Sequence, residues 1–256
     1  LIEHIRAGRD KLTDPKKKKK DDLPPIKPEE IPFEIPKSWE WVRLGEILNL
    51  FNGHSFKQTE WKKTGVPIIR IQNLNNRETS QFNFYQGIVD QNWKVENGEL
   101  LFAWSGSKGS SFGAHIWHNG DAVLNQHIFK VVPKNGIYKE YLYWLLRQFQ
   151  KRIEEDAHGF KETFVHVRQS DLKKVVVPVP PFLEQKLIVK CLNDNLDISK
   201  KMIYKINLAK AFRLKLLSSI LDSAFSGRLV PQDPSEGSGH DLLEDIKAQV
   251  TSQKNC

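Results

Sequence analysis

The chain has 256 residues, 39% of them hydrophobic, which is enough for one globular domain with a buried core and for extended parts beside it. Its 39 basic and 31 acidic side chains leave a net charge of +8, which suits a polyanionic partner such as nucleic acid. Two cysteines make neither a disulfide framework nor a metal site, and no apolar run reaches the about 20 residues that span a bilayer. These observations exclude the disulfide-rich secreted and membrane classes and predict a cytoplasmic protein.

The first distinctive segment is a run of five lysines, Lys16–Lys20, followed by two aspartates and then by five prolines from Pro24 to Pro36. Repulsion between like charges and the fixed torsions of proline keep such a stretch extended. We interpret residues 13–37 as a solvated linker. A contact with the DNA backbone and a localisation signal are the alternatives.

Residues 38–181 have the pattern of a globular α+β domain. All seven tryptophans lie between Trp39 and Trp144, so the core is expected there. Short apolar runs separated by Gly, Asn and Asp predict a twisted, mostly antiparallel sheet. The predicted strands are Trp41–Leu44, Val66–Ile71, Glu99–Trp104, Ala122–Val132 and Lys174–Val179, and an apolar face of period 3.6 predicts a helix from Lys139 to Asp156.

A long helix is predicted after the sequence VPVPP that ends at Pro181. From Phe182 to Ser226 the chain contains neither Pro nor Gly, and Gly227 follows as a stop signal. At about 1.5 Å per residue, such a helix reaches roughly 65 Å, near the rise of two DNA turns. We expect residues 182–227 to protrude from the domain as a spacer.

The predicted helix carries two neighbouring apolar stripes with steps of three, four and seven residues. A face this wide must be covered, either by a second helix in a coiled coil or by the helix's own domain. The predicted dimer or partner interface comprises Ile188, Leu192, Leu196, Met202, Ile203, Ile206, Phe212 and Leu216. In the tail, residues 228–256, three apolar residues (Leu242, Leu243 and Ile246) indicate a short last helix.

Several polar loops carry the side-chain types that read base edges or bind phosphate. Arg pairs with guanine, Asn and Gln pair with adenine, and Lys beside free backbone N–H groups binds phosphate. The candidate DNA-binding residues are Lys57, Arg70, Gln72, Asn73, Ser107, Lys108, Asn125, Gln126, Lys161 and Arg168. The alternatives are a plain hairpin connection for the loop SGSKGSSFG (Ser105–Gly113) and inward-facing structural hydrogen bonds for Asn125 and Gln126.

Catalytic signatures are weak throughout. The tetrapeptide VPPF (Val179–Phe182) resembles the NPPF motif of adenine-N6 methyltransferases, but a valine cannot make the hydrogen bonds of the asparagine in that motif. No glycine-rich cofactor loop follows a strand, and the eight histidines form no HExxH motif. We therefore predict a protein that is not an enzyme and that has neither cofactor nor metal.

The chain resembles the specificity subunit of type I restriction-modification enzymes, because several short sequence segments occur in the same order as in that family. These segments are LIEHIRAGRDKL at the start, LPPIKPEEIPFEIPKSWEWVRLGEI, then VPVPPFLEQKLIV, and finally SAFSGRLVPQDP. The resemblance implies that residues 1–12 end a preceding helix and that residues 38–181 form a target-recognition domain. A full-length member has two such domains and two long helices, so the chain resembles a C-terminal half or a half-sized subunit, and Leu1 in place of Met favours a fragment or an engineered piece.

The resemblance also implies a function and a set of partners. Such a subunit reads one half of a bipartite double-stranded DNA site and docks modification (methyltransferase) subunits, while separate restriction subunits associate indirectly. The long helix pairs with the second half of the subunit or with a second copy. An autonomous DNA-binding regulator or structural homodimer is the alternative, and co-purification with a methyltransferase distinguishes the two.

Overall fold

The computed structural model describes residues 23–75, 81–107, 110–155, 164–233, 235 and 237–253. The predicted helix end (residues 1–12) and the lysine run therefore lie outside the described residues. The chain divides at Asn193 into two compact units. The first contains every strand of the described segments, and the second contains most of the long helix and the last one.

Several strands of the first unit coincide with the apolar runs of the sequence, whereas one, Ser105–Ser107, lies in the polar loop Ser105–Gly113. The strands are β1 (Glu40–Arg43), β2 (Leu48–Asn52), β3 (Val66–Ile69), β4 (Asn83–Tyr85), β5 (Lys94–Val95), β6 (Leu100–Ala103), β7 (Ser105–Ser107), β8 (Gly113–Ile116), β9 (Ala122–Leu124), β10 (Ile128–Pro133), β11 (Phe164–His166) and β12 (Val176–Val179). The helices of this unit are α1 (Leu44–Ile47), α2 (Ile71–Asn75), α3 (Lys139–Gln148), α4 (Gln150–Glu155) and α5 (Gln169–Lys174).

The strands form sheets that are antiparallel except at one pair. One four-stranded sheet has the order β2-β10-β6-β8, and the other has the order β4-β3-β9-β5, in which β3 and β9 run parallel. Two smaller pairs, β1-β12 and β7-β11, complete the set. The expected α+β class with a mostly antiparallel sheet is confirmed, although the strands divide among separate sheets.

The main core lies between the first sheet and α3. Leu142 and Leu146 of α3 and Phe102 of β6 are at most 1% exposed in one apolar cluster, and α3 packs on β8 and β10. The 3.6-residue period of α3 supplies this buried face, as the sequence indicates. The predicted helix 139–156 is divided at Phe149 into α3 and α4.

The predicted strand Ala122–Val132 is two strands. β9 pairs with β3 in the second sheet and β10 pairs with β6 in the first, and the turn Asn125–His127 joins them. The N–H of Ile128 donates to the carbonyl of Asn125 at 3.2 Å and closes this turn. The apolar runs on both sides are continuous enough to resemble one strand, so only the pairing partners reveal the division.

The described part of the predicted linker is attached to the first unit. Arg43, whose side chain is 4% exposed, makes a two-pronged ion pair with Glu30, at 2.6 and 2.8 Å. Arg43 also donates to the carbonyls of Pro24 and Pro25, and Arg152 donates to the carbonyl of Glu30. The sequence predicts an extended, solvated segment here, whereas residues 24–30 lie against the domain.

The long helix α6 (Phe182–Phe225) is continuous, as predicted. Its start is fixed in the first unit by Gln185, which is fully buried. The Gln185 side chain accepts from the N–H of Tyr138 and donates to the carbonyls of Gly136 and Pro180. Its end is capped at Gly227, whose φ of 68° is left-handed and which permits Arg228 N–H to donate to the Ser223 carbonyl at 2.8 Å.

The second unit contains the rest of α6, from Asp194, and the last helix α7 (Gly239–Gln253). Large apolar side chains along both helices are exposed, including Ile203 at 56% and Phe212 at 70%. Among the described residues, no helix combines the length and the apolar character needed to cross a membrane.

Candidate nucleic-acid interface

The turn Asn125–His127 is where the predicted polar loops meet. Asn125 N–H donates to the Ile69 carbonyl at 3.0 Å, which places the turn beside Arg70. On its other side, Trp104 donates its indole N–H to the Gln126 carbonyl at 3.0 Å. The pairing of β9 with β3 and of β10 with β6 thus brings residues from distant parts of the sequence to one place.

The loop after β2 also reaches this turn, because Gly53 lies against it. A Cβ at position 53 would be 2.1 Å from the carbonyl oxygen of Asn125, so only glycine fits. His54 N–H donates to the Leu124 carbonyl at 2.7 Å, and the His54 ring stacks on Trp93. Lys57, at the end of this loop, is exposed.

Trp104 connects the turn to the segment that follows the undescribed residues 156–163. Its ring lies 5.2 Å from that of His127 and 4.7 Å from that of His166. In addition, β7 pairs with β11, so that Ser105 is opposite His166 and Ser107 is opposite Phe164. The exposed Ser107 and Arg168 therefore belong to the same region of the molecule.

The surroundings of His127 disfavour its charged form. Burial lowers the pKa of His127, and the neighbouring His166 lowers it further. The side-chain amide of Gln126 lies 3.1 Å from His127 Nε2; because the amide N–H donates, the ring nitrogen accepts. This contact fixes the exposed Gln126 side chain at the tip of the turn.

Arg70 lies at the end of β3, and its guanidinium carbon is 5.2 Å from the ring centroid of Trp61. Its backbone N–H donates to Asn73 Oδ1 at 2.9 Å, while Asn73 N–H donates to the Arg70 carbonyl at 2.8 Å. The amide of Asn73 also donates to the Gln81 carbonyl. Asn73 is 1% exposed, so its side chain closes this turn from inside, and we leave it out of the proposed DNA-contacting set.

The other predicted DNA-binding residues fall into three groups. Gln72, like Lys57, Ser107, Gln126 and Arg168, is exposed, and Asn125 is half-buried in the turn. Lys108 and Lys161 lie outside the described residues. The supporting rings Trp61 and Trp104 were not predicted from sequence, since a tryptophan that supports a surface residue has the same sequence pattern as one in the core.

The predicted partner face of α6 is exposed except near its start. Ile188 packs partly against the core of the first unit, so this residue contributes to domain packing. Leu192 and Leu196 are 38% exposed, and the remaining members of the set, Met202, Ile203, Ile206, Phe212 and Leu216, are 52–70% exposed.

Within the described segments, no three His, Cys, Asp or Glu side chains are grouped so that they could hold a metal ion. The described elements around the turn instead provide hydrogen-bond donors, cations and aromatic rings. This combination suits a polyanion whose bases present hydrogen-bonding edges.

Residues 36–208 match the family model of the type I restriction modification DNA specificity domain. Among curated proteins, the EcoBI specificity subunit of Escherichia coli is 30% identical over 208 residues, covering 78% of this chain and 41% of that protein. The MjaX specificity subunit of Methanocaldococcus jannaschii, whose assignment is putative in its own description, is 30% identical over 197 residues, covering 72% and 46%. The chain thus spans less than half the length of these relatives.

Solved structures share the fold at lower identity. A chain from a study of complex assembly and conformational transition of the type I R-M system has a TM-score of 0.60 and 20% identity, covering 90% of this chain and 57% of that one. The HsdS subunit of Thermoanaerobacter tengcongensis has a TM-score of 0.56 and 20% identity, covering 77% and 47%.

Proposed function

Because the chain belongs to the type I restriction-modification DNA specificity family, we propose that it reads one half of a bipartite site in double-stranded DNA. The observation that carries this proposal is the meeting of separate polar loops at the turn Asn125–His127. Exposed Gln126 supplies an amide at this turn, and exposed Lys57 and Arg168 supply cations on segments whose neighbouring residues contact it. Phosphate contacts position a protein on DNA, and base contacts select the sequence.

In this proposal the parts of the chain have separate tasks. Residues 38–181 form the target-recognition domain, residues 182–227 form a spacer helix, and residues 13–37 and 228–256 flank them. The exposed apolar face of the helix pairs with the equivalent helix of a second recognition half. The distance between two half-sites then becomes part of the specificity.

The chain has no catalytic role in this proposal and binds no cofactor. It docks modification subunits, which carry out methylation, and restriction subunits join indirectly. The proposal places the complex in the cytoplasm, where its DNA substrate is found. The names of the related specificity subunits support this division of labour.

A second candidate is an autonomous DNA-binding homodimer without a methyltransferase. The exposure of Ile203, Ile206 and Phe212 leaves this face of the helix available to a second copy of the chain. Co-purification from the host separates the two candidates. A stable complex with a methyltransferase supports the first, and a free homodimer that binds DNA tightly supports the second.

Salt dependence tests the DNA contact. Binding of the full chain to duplex DNA is measured by fluorescence anisotropy. The logarithm of the association constant should fall linearly with the logarithm of the salt concentration. Lys57→Ala and Arg168→Ala should each weaken binding to every sequence and reduce the slope by about one. Lys200→Ala, on the exposed long helix, is the matched control and should change neither. An affinity that stays flat across salt would contradict the proposal.

A further inference from the structure

Arg70 is held more rigidly than the other candidate DNA contacts. Its backbone is fixed by the two hydrogen bonds with Asn73, and its guanidinium lies over the Trp61 ring at 5.2 Å. Lys57 and Arg168, in contrast, are exposed and lie over no ring of the described residues. A cation stacked on an aromatic ring is both stabilised and oriented.

The side chain of Arg70 has no acceptor within the described segments. Its Nε is enclosed without a hydrogen-bond partner, and so is the indole nitrogen of Trp61. By comparison, the guanidinium of Arg43 binds Glu30 and three backbone carbonyls. A half-buried cation without an acceptor costs free energy, and such a group in a folded protein calls for an explanation.

The enclosure of Nε determines what Arg70 can offer a ligand. Two terminal amino groups remain, and they form one edge with two parallel donors. Such an edge matches O6 and N7 of guanine in the major groove, and it also matches two phosphate oxygens. A ligand for this edge is therefore a pair of neighbouring acceptor atoms, such as DNA presents in both places.

The position of Arg70 favours the base over the phosphate. The residue before it, Ile69, accepts a hydrogen bond from Asn125, so Arg70 lies beside the turn whose amide side chains suit base edges. A phosphate contact carries no sequence information, whereas a fixed two-donor edge beside other base-reading side chains can select one base. We propose that Arg70, oriented by Trp61, reads a guanine through O6 and N7, an inference that rests on the proposed function.

Selection from random duplexes tests this inference with the full chain. The wild type is expected to select a motif that contains at least one guanine. Arg70→Ala and Arg70→Lys should relax the preference at one guanine by about 10- to 100-fold and leave the other positions unchanged. Arg168→Ala is the matched control, because it should weaken binding to all sequences alike and leave the motif intact.

Modified DNA gives a second measurement, in which the wild type alone already tests the contact. Replacing the selected guanine by 7-deazaguanine removes the N7 acceptor and should weaken binding of the wild type but not that of Arg70→Ala. Trp61→Phe keeps a ring under the guanidinium, and Trp61→Leu removes it. Only Trp61→Leu should weaken the preference for guanine at the position that Arg70→Ala affects. Thermal unfolding confirms that each variant is folded.

The outcomes separate this inference from the proposed function. If Arg70→Ala keeps the whole motif and lowers all affinities together with the salt slope, Arg70 contacts phosphate and the inference is overturned while the proposed function stands. A motif without guanine, or wild-type binding that 7-deazaguanine does not weaken at any selected guanine, overturns it as well. If the wild type selects no motif, the proposed function itself fails, and the inference fails with it.

Discussion

Arg43 shows how a single residue fixes the segment that leads into the domain. The sequence predicts a solvated linker at residues 13–37, because repulsion between lysines and the fixed torsions of proline keep such a stretch extended. The guanidinium of Arg43 nevertheless binds both carboxylate oxygens of Glu30 and the carbonyls of Pro24 and Pro25. The hydrogen bond from Arg43, with a second from the N–H of Lys27, lowers the pKa of Glu30 from 4.5 to about 2.

This ion pair predicts how stability depends on pH. The pKa of Glu30 is lower in the folded than in the unfolded chain, so its contribution is fully present above pH 4.5 and is lost as the pH falls towards about 2. Glu30→Gln should lower the free energy of unfolding at neutral pH by about 1–3 kcal/mol, and the deficit should shrink on acidification. Denaturant unfolding across pH measures this.

The neighbouring Glu29 provides the control for that experiment, since it is exposed and makes no hydrogen bond in the described structure. Glu29→Gln should leave the unfolding free energy within about 0.5 kcal/mol of the wild type. Equal losses for the two variants would show that Arg43 is satisfied by the backbone carbonyls alone.

At the scale of elements, the long helix has one fixed end and one exposed face. Gln185 is buried and fixes the start of α6 through three hydrogen bonds. From Leu192 onward the apolar side chains are exposed, and Val189 is the last buried residue of the helix. An apolar face of this length favours association, because its burial removes apolar surface from water.

Charged substitutions on this face should abolish pairing. Ile203→Asp with Ile206→Asp places two carboxylates in the proposed contact, so the molar mass in light scattering should fall to that of the monomer. The tryptophan fluorescence should not change, because all tryptophans lie in the first unit. Lys201→Asp with Lys205→Asp, outside the apolar stripes, is the control, and an unchanged mass for the isoleucine double variant would refute the pairing.

At the scale of the whole molecule, the two units that meet at Asn193 differ in how much apolar surface they bury. The first unit has buried apolar clusters, whereas the described side chains of the second unit are almost all exposed. We therefore expect the helical order of the second unit to depend on association with a partner or a second copy.

Two probes should consequently report different unfolding transitions. Tryptophan fluorescence follows the first unit, and far-ultraviolet circular dichroism is dominated by α6 and α7. On thermal unfolding, part of the dichroism signal should be lost before the fluorescence changes, and that part should shift with protein concentration. Coincident transitions that are independent of concentration would contradict this expectation.

Much of the fold and of the family assignment was accessible from local sequence signals. Proline before Phe182 and glycine at position 227 bound the long helix, and the 3.6-residue period locates α3. These signals act over a few residues, where backbone torsions and side-chain periodicity decide the outcome. The order of the short sequence segments was likewise enough to indicate the family.

The arrangement of the candidate site was decided only by the tertiary structure. The burial of Asn73, the stacking of Arg70 on Trp61 and the meeting of the loops at Asn125–His127 all follow from which strands pair. Strand pairing depends on contacts between residues far apart in the chain, and no local pattern encodes them. The sequence determined which side chains are available, and the packing of the sheets decided which of them lie together.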